Sequence, residues 1–316
     1  MNAQAPPLDL ELMRAALGSS TLSHGLRHVG DRWTVQILMG AFTGVRRFDE
    51  FQTRLGIPRH TLSQRLKALV AMEMLRLVPY QTRPLRQEYR LTPRGLAMYD
   101  AVLMIWDWEQ RFGEGQIPLP RRLIHKSCGH AFRPRLACDA CAEEATMADL
   151  SFRLRPNPRL SPDTTSAAGR EGRTPRVPLD GAGLSLGLRL DRWALMIVTA
   201  VTLGCRYFDQ LSHVLGIGPS TLSHRLSALV EAGLLRVTPD RDDQRRRVYL
   251  LTPASRALFP YLTAFAAWAS ESLLNEPSSI APIHRDCGKP FVARAACSHC
   301  HARLFPQDVR FEMEGA

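Results

Sequence analysis

Two sets of residues in this chain have the types and spacing to do chemistry. The first is made of six cysteines and two histidines. His125, Cys128, Cys138 and Cys141 follow the pattern His-x2-Cys-x9-Cys-x2-Cys, and His284, Cys287, Cys297 and Cys300 repeat it. Two short knuckles nine residues apart offer four soft-to-borderline donors, the Cys3His set of a closed structural zinc site. The expectation is two structural zinc ions per chain, one in each segment. Gly129 and Gly288 follow the first cysteines, where a knuckle turn needs backbone freedom. His130, His299 and His301 lie close by, so the histidine ligand is less constrained than the cysteines. Redox sensing by the same thiols is the alternative.

The second set is a polar helix face that occurs twice. In the first occurrence Arg59, His60, Thr61, Ser63, Gln64, Arg65 and Lys67 surround the apolar positions Leu62 and Leu66. The second presents Ser220, Thr221, Ser223, His224 and Arg225 around Leu222 and Leu226. Every member of the polar sets can donate hydrogen bonds to phosphates or base edges. Gln reads adenine and Arg reads guanine in a major groove, so Gln64 and Arg59 are candidate base readers. Arg65 and Arg225 hold matching positions and are candidate phosphate clamps.

The elements that must position these residues come from an internal duplication. An offset of 160 residues aligns Asp31-Arg32-Trp33 with Asp191-Arg192-Trp193, and Leu55-Gly56-Ile57 with Leu215-Gly216-Ile217. It also aligns Thr61-Leu62-Ser63 with Thr221-Leu222-Ser223, and Trp108 with Trp268; an offset of 159 aligns the cysteines. Within one copy, residues 20–42 hold apolar positions at helical spacing, and 46–55 reads as a short amphipathic helix ended by Gly56. Residues 59–74 read as a second helix. Two short helices about a tight glycine turn form a helix-turn-helix, whose second helix enters the major groove. Strands at 75–78 and 88–92 then enclose a polar loop with Arg83 and Arg86, a wing able to reach backbone or minor groove. The second wing, 240–247, has Arg245 and Arg246 diluted by Asp240, Asp242 and Asp243. The first copy is therefore expected to supply more of the affinity. Thr92 and Pro93 start a closing helix that runs to about residue 112.

The predicted fold class is mainly α with small β wings. A first winged helix-turn-helix domain occupies 1–118 and a zinc-ribbon-like tail 119–152. A Pro/Arg-rich linker spans 153–182, a second winged domain 183–276, and a second tail 277–316. Trp33, Trp193, Phe48, Phe51 and Phe208 are expected in the cores, and Cys205 as a small packed residue.

Composition sets the limits. The 316 residues carry a net charge of +11, and 38 of the 41 cations are arginine. Arginine forks onto phosphate, although coding bias explains the same excess. No apolar run approaches the roughly 18 residues of a membrane span, and residues 1–17 lack the form of a secretory signal. The reading is a cytoplasmic, nucleoid-associated protein. No triad, phosphate loop or paired-carboxylate site stands out, so binding is expected and catalysis is not.

The residues Gly30–Trp33, Gly44–Phe51, Leu55–Ile57, Leu62–Leu66 and Glu88–Thr92 together resemble the HxlR-type winged helix-turn-helix transcriptional regulators. The resemblance covers about 18–115 and, more loosely, about 184–272. It implies a bacterial or archaeal regulator that binds double-stranded DNA, usually as a dimer built from N- and C-terminal helices, at a pseudo-palindromic operator. Two features depart from the pattern. Here two domains stand in tandem, which suggests an intrachain pseudo-dimer, or a homodimer presenting four recognition helices. The stretch Ser19–His24 also lacks the cysteine that many members carry before the first long helix. A zinc- or redox-responsive sensor signalling through the tails, and a protein-interaction adaptor with one degenerate winged helix, are the rival readings.

Overall fold

A computed structural model describes residues 8–113, 119–160 and 191–312. Leu10–Gly18 (α1) opens the chain, capped by Asp9, whose carboxylate accepts the Leu12 N–H at 2.9 Å. The apolar run at 20–42 is two helices, Thr21–Val29 (α2) and Arg32–Phe42 (α3), because Asp31 caps the second. Its carboxylate accepts the N–H groups of Trp33 and Thr34 and the Thr34 hydroxyl. Phe48–Leu55 (α4) and Arg59–Ala71 (α5) form the helix-turn-helix. Gly56 joins them at φ 61°, the left-handed region that an L side chain disfavours. Leu75–Thr82 (β1) and Leu85–Leu91 (β2) make the antiparallel wing. A short turn of helix, Pro93–Leu96 (α6), leads into the closing helix Tyr99–Phe112 (α7).

The second copy repeats this order with Arg192–Thr202 (α8), Phe208–Leu215 (α9) and Pro219–Glu231 (α10). Its wing is Leu235–Pro239 (β7) with Arg247–Leu251 (β8), followed by Pro253–Arg256 (α11) and the closing helix Phe259–Trp268 (α12). Leu62, Leu66 and Leu69, and their counterparts Leu222, Leu226 and Leu229, are buried against the helix before them. Phe51 is fully buried, as expected. Trp33 and Trp193 are not: each is half-buried, with the guanidinium of Arg32 or Arg192 stacked on its ring at 4.0 or 4.9 Å. They sit on the first turn of their helices, at the edge of the core, where an aromatic body can be covered by an arginine instead of by apolar neighbours. Phe48 and Phe208 are likewise half-buried.

The two copies are packed into one another. The closing helices α7 and α12 lie side by side. The Trp108 indole N–H donates to the Ala254 carbonyl at 2.7 Å, and the Trp268 indole donates to the Arg94 carbonyl at 3.2 Å. Residues 94 and 254 are repeat counterparts, so the exchange is reciprocal, as at a two-fold interface. Helix α1 docks on the second copy: Met13 Sδ lies 3.0 Å from Cys205 Sγ, and Glu11 pairs with His213 at 2.9 Å. Helix α2 crosses α12 so closely that a Cβ at Gly25 would stand 2.9 Å from both Phe265 and Ala269.

The tails exchange strands. The first holds Arg122–His125 (β3), Ala131–Phe132 (β4), Pro134–Cys138 (β5) and Leu150–Leu154 (β6). The second holds Ile280–His284 (β9), Ala293–Cys297 (β10) and Val309–Glu312 (β11). β5 pairs with β10, β3 with β11 and β6 with β9, all antiparallel. Two separate tails are therefore replaced by one intertwined unit. The expected linker begins inside it. Arg153 and Leu154 belong to β6, and Asn157 donates its N–H to Ser19 Oγ at 3.0 Å. The rest of that linker, and the start of the second domain, lie outside the described residues.

Candidate nucleic-acid interface and metal centres

On α5 the apolar stripe turns Arg59, His60, Gln64 and Lys67 outward, with Thr61, Ser63 and Arg65 half-covered beside them. All seven predicted residues lie outside the buried Leu62–Leu66–Leu69 stripe, on about the first two and a half turns of the helix. Pro58 and Gly218 precede α5 and α10, and no side chain among the described residues caps either helix start. First-turn N–H groups and the helix dipole thus face outward together, a favourable place for a phosphate. The Arg59 guanidinium lies 5.1 Å from the Phe48 ring centroid. In the wing, Arg83 and Arg86 are exposed. On α10 the residues Ser220, Thr221, Ser223 and His224 are exposed in the same arrangement, as are Arg245 and Arg246 in the second wing.

Arg65 and Arg225 have a partner that sequence reasoning missed. Arg65 Nε lies 3.3 Å from Asp31 Oδ1, and Arg225 Nη1 lies 3.1 Å from Asp191 Oδ2. Each recognition helix is thus tied to the capping residue of the helix behind it. The signal was the duplicated Asp-Arg-Trp triplet. Arg65 keeps 41% of its side chain exposed and can still face a phosphate, whereas Arg225 keeps 15%. The second is largely covered by that pairing and its surroundings.

The acids of the second wing also have local work. Asp240 accepts the N–H groups of Asp242 and Asp243 and the Tyr207 hydroxyl, and Asp243 accepts the Arg245 N–H. The Tyr207 hydroxyl bond is also the largest cause holding the Asp240 carboxyl below its ordinary range. Arg246 covers the Tyr207 ring at 4.0 Å and pairs with Asp209 at 3.3 Å. Side-chain bonds thus organise the turn of the second wing, where Arg246 is held by Tyr207 and Asp209 and Arg245 is exposed.

The cysteines and histidines come together differently from the expectation. One group is His125, Cys128, Cys297 and Cys300; the other is Cys138, Cys141, His284 and Cys287. Each joins the His-x2-Cys knuckle of one tail to the Cys-x2-Cys knuckle of the other. The expected sets within single tails are corrected accordingly. The β5–β10 register is the reason: Cys138 stands opposite Ala293 and Cys297 opposite Pro134, with Leu136 and Ala295 at the centre. The two strand cysteines therefore sit at opposite ends of the ladder, roughly 13 Å apart at about 3.3 Å per residue. Each is beside the other tail's histidine knuckle.

Each group fits a four-coordinate metal ion. All donor atoms within a group lie within 4.8 Å of one another. His125 Nδ1 is 3.2 Å from Cys300 Sγ; His284 Nδ1 is 3.3 Å from Cys141 Sγ and 3.4 Å from Cys287 Sγ. Both histidines are almost wholly buried, at 1% and 0% exposure. The four knuckles share one turn. The residue after the second ligand, Gly129, Ala142, Gly288 or His301, has φ between 60° and 75° and donates its N–H back to the first ligand's carbonyl. The Lys289 N–H, against the effect of burial and with help from His284 and Cys141, brings the Cys287 thiol down to about 7. The Ala302 N–H lowers Cys300 in the same way. His130 and His299 instead stack on each other at the surface, 3.7 Å apart. They stand near Cys128 but outside the two buried groups.

Two helix-turn-helix units with wings define a DNA-binding protein. The HxlR-like helix-turn-helix family matches residues 28–116 and again 189–277. The chain belongs to that family. It is 42% identical over 130 residues to the uncharacterised HTH-type transcriptional regulator MT3179 of Mycobacterium tuberculosis, covering 40% of this chain and 80% of that protein. It is 34% identical over 84 residues to the uncharacterised HTH-type regulator YtfH of Escherichia coli, covering 26% and 67%. Among solved structures, PA1374 of Pseudomonas aeruginosa, assigned as a transcription factor, is 32% identical, with 38% and 82% covered and a TM-score of 0.28. The protein is a DNA-binding transcriptional regulator and not an enzyme. No helix among the described residues is long and apolar enough to cross a membrane.

Proposed function

We propose that one chain acts as its own dimer: it presents α5 and α10 to two half-sites of one pseudo-palindromic operator, and two zinc ions shared between the tails lock the halves together. The reciprocal tryptophan bonds carry this reading, because each closing helix is held by the copy opposite, as two subunits would hold one another. Arg59, His60, Thr61, Ser63, Gln64, Arg65 and Lys67 contact the first half-site with Arg83 and Arg86. Ser220, Thr221, Ser223 and His224 contact the second with Arg245 and Arg246, while Arg225, held by Asp191, orients α10 behind them. The first copy supplies more of the phosphate attraction. Zinc is the ion favoured by three thiolates and one imidazole, and its role is structural, with all four positions filled by protein.

The test is a gel shift on an operator found by genome-wide binding-site mapping, with the mass of the complex measured in parallel. One chain per operator, and loss of binding when either Gln64→Glu or His224→Glu is introduced, is expected. Two chains per operator, or indifference to changes on α10, overturns the intrachain dimer.

A further inference from the structure

The two copies differ at one equivalent place. In the first copy a cavity of about 40 Å³ lies between α3, α7 and the tail, bordered by Met39, Phe42, Val102, Trp106 and Phe311. Its counterpart in the second copy, bordered by Thr199, Thr202, Leu262, Ala266 and Phe152, measures about 400 Å³. The correspondence is residue by residue. Thr199 stands for Met39, Thr202 for Phe42 and Ala266 for Trp106, at the offset of 160; Phe152 stands for Phe311 at 159. In the first copy the Trp106 indole is buried and donates to the Pro120 carbonyl at 3.2 Å. Beside it Asp107 pairs with Arg133 at 2.7 Å. The second copy has Ala267 and Val292 at those two places, and both line the larger cavity. Three replacements on two helices thus remove bulk from one volume, and Ala267 and Val292 extend the larger cavity where the first copy has an ion pair.

What remains has a definite chemistry. Phe152, Phe259 and Phe291 supply aromatic walls. The hydroxyls of Thr199, Thr202 and Thr263 each donate to the carbonyl four residues earlier, at 2.8 Å. Their hydrogens are engaged, and their oxygens remain as acceptors. The one acid at the edge, Glu271, is paired with Arg294 at 3.3 Å. A volume of this size, mostly apolar with a few polar groups, matches the ordinary small-molecule site.

We infer that the second copy holds a binding site for a neutral aromatic small molecule bearing O–H or N–H donors, and that the first copy has the same site closed by its own side chains. The site spans both halves: Ser20 and Leu22 before and on α2 reach it, as do Ile280–Pro282 of β9. It needs no DNA to be read.

The probe for the test is N-phenyl-naphthylamine, a neutral aromatic amine that fluoresces when it leaves water, titrated into the full chain. One saturable equivalent per chain is expected. Ala266→Trp, which installs the first copy's own solution, should weaken it about ten-fold or more while maintaining or raising the melting temperature. Thr202→Phe is the second variant, read in the same way should Ala266→Trp fail to fold. Anilinonaphthalene sulfonate, of similar size but anionic, should bind more weakly than the neutral probe. Absence of saturable binding, affinity unchanged in both folded variants, or tighter binding of the anion overturns the inference.

Discussion

His125 and Cys300, 175 residues apart, face each other at 3.2 Å between Nδ1 and Sγ. The contact joins the first tail to the second, and its mirror is His284 with Cys141 at 3.3 Å. The consequence is testable by crossing substitutions. Cys128→Ser with Cys300→Ser removes two ligands from one centre, so one zinc per chain should remain. Cys128→Ser with Cys138→Ser removes one ligand from each, so both ions should be weakened. Zinc measured by mass spectrometry after mild chelation reports the pattern, and grouping within each tail requires the reverse.

The reciprocal indole bonds can be removed while an aromatic ring is kept at each position, at the cost of some packed volume. Trp108→Phe and Trp268→Phe each leave a carbonyl of the opposite copy without its donor. A loss of about 1–3 kcal/mol per substitution is expected in urea unfolding, combining hydrogen bond and shape. The Trp108 bond is the shorter, 2.7 against 3.2 Å, and its loss should cost more.

Arg65 and Arg225 should separate in their effects. Arg65→Ala is expected to lower DNA affinity and to reduce the salt slope by about one, as removal of a phosphate contact does. Arg225→Ala should act mainly through the lost pair with Asp191. It should lower thermal stability by about 1 kcal/mol or less and leave the salt slope nearly unchanged. Binding isotherms at several salt concentrations, with melting curves, distinguish the two.

Gln64→Ala should relax base preference at a single operator position, at a cost of about 1–3 kcal/mol against the preferred base and little against others. Selection from a randomised operator library checks this. Uniform weakening at every position would mean that Gln64 meets only the backbone.

Burial raises the Cys205 thiol to about 11. It stays protonated, and so unreactive, throughout the neutral range and up towards that value, since only the thiolate attacks. In chelated, folded protein at pH 8, Cys287 and Cys300, which are not buried and whose thiols are lowered, should react with a thiol reagent before Cys205 does. Cys205 should follow only after unfolding, as judged by mass after timed labelling.

Much of this was legible in the residues. The helix-turn-helix, wing and closing helix follow from local periodicity, from glycine at the turn and from Thr92 as a cap, and each appears twice. Helix α1 escaped notice although Asp9, Met13 and Leu17 mark it, because nine residues give a weak pattern. The split between α2 and α3 was hidden because the apolar spacing runs on through Gly30 and Asp31.

The sequence by itself determined the duplication, the helix-turn-helix units and the eight Cys and His residues that gather into two groups, since these rest on residue type and short spacing. Which donors belong together could not be read there: two tails with identical spacing allow pairing within or between them. Only the tertiary structure decided, through a β5–β10 register that carries Cys138 and Cys297 to opposite ends of one ladder. The same holds for the open cavity of the second copy. Ala266 is an ordinary alanine until the fold sets it where its counterpart is Trp106.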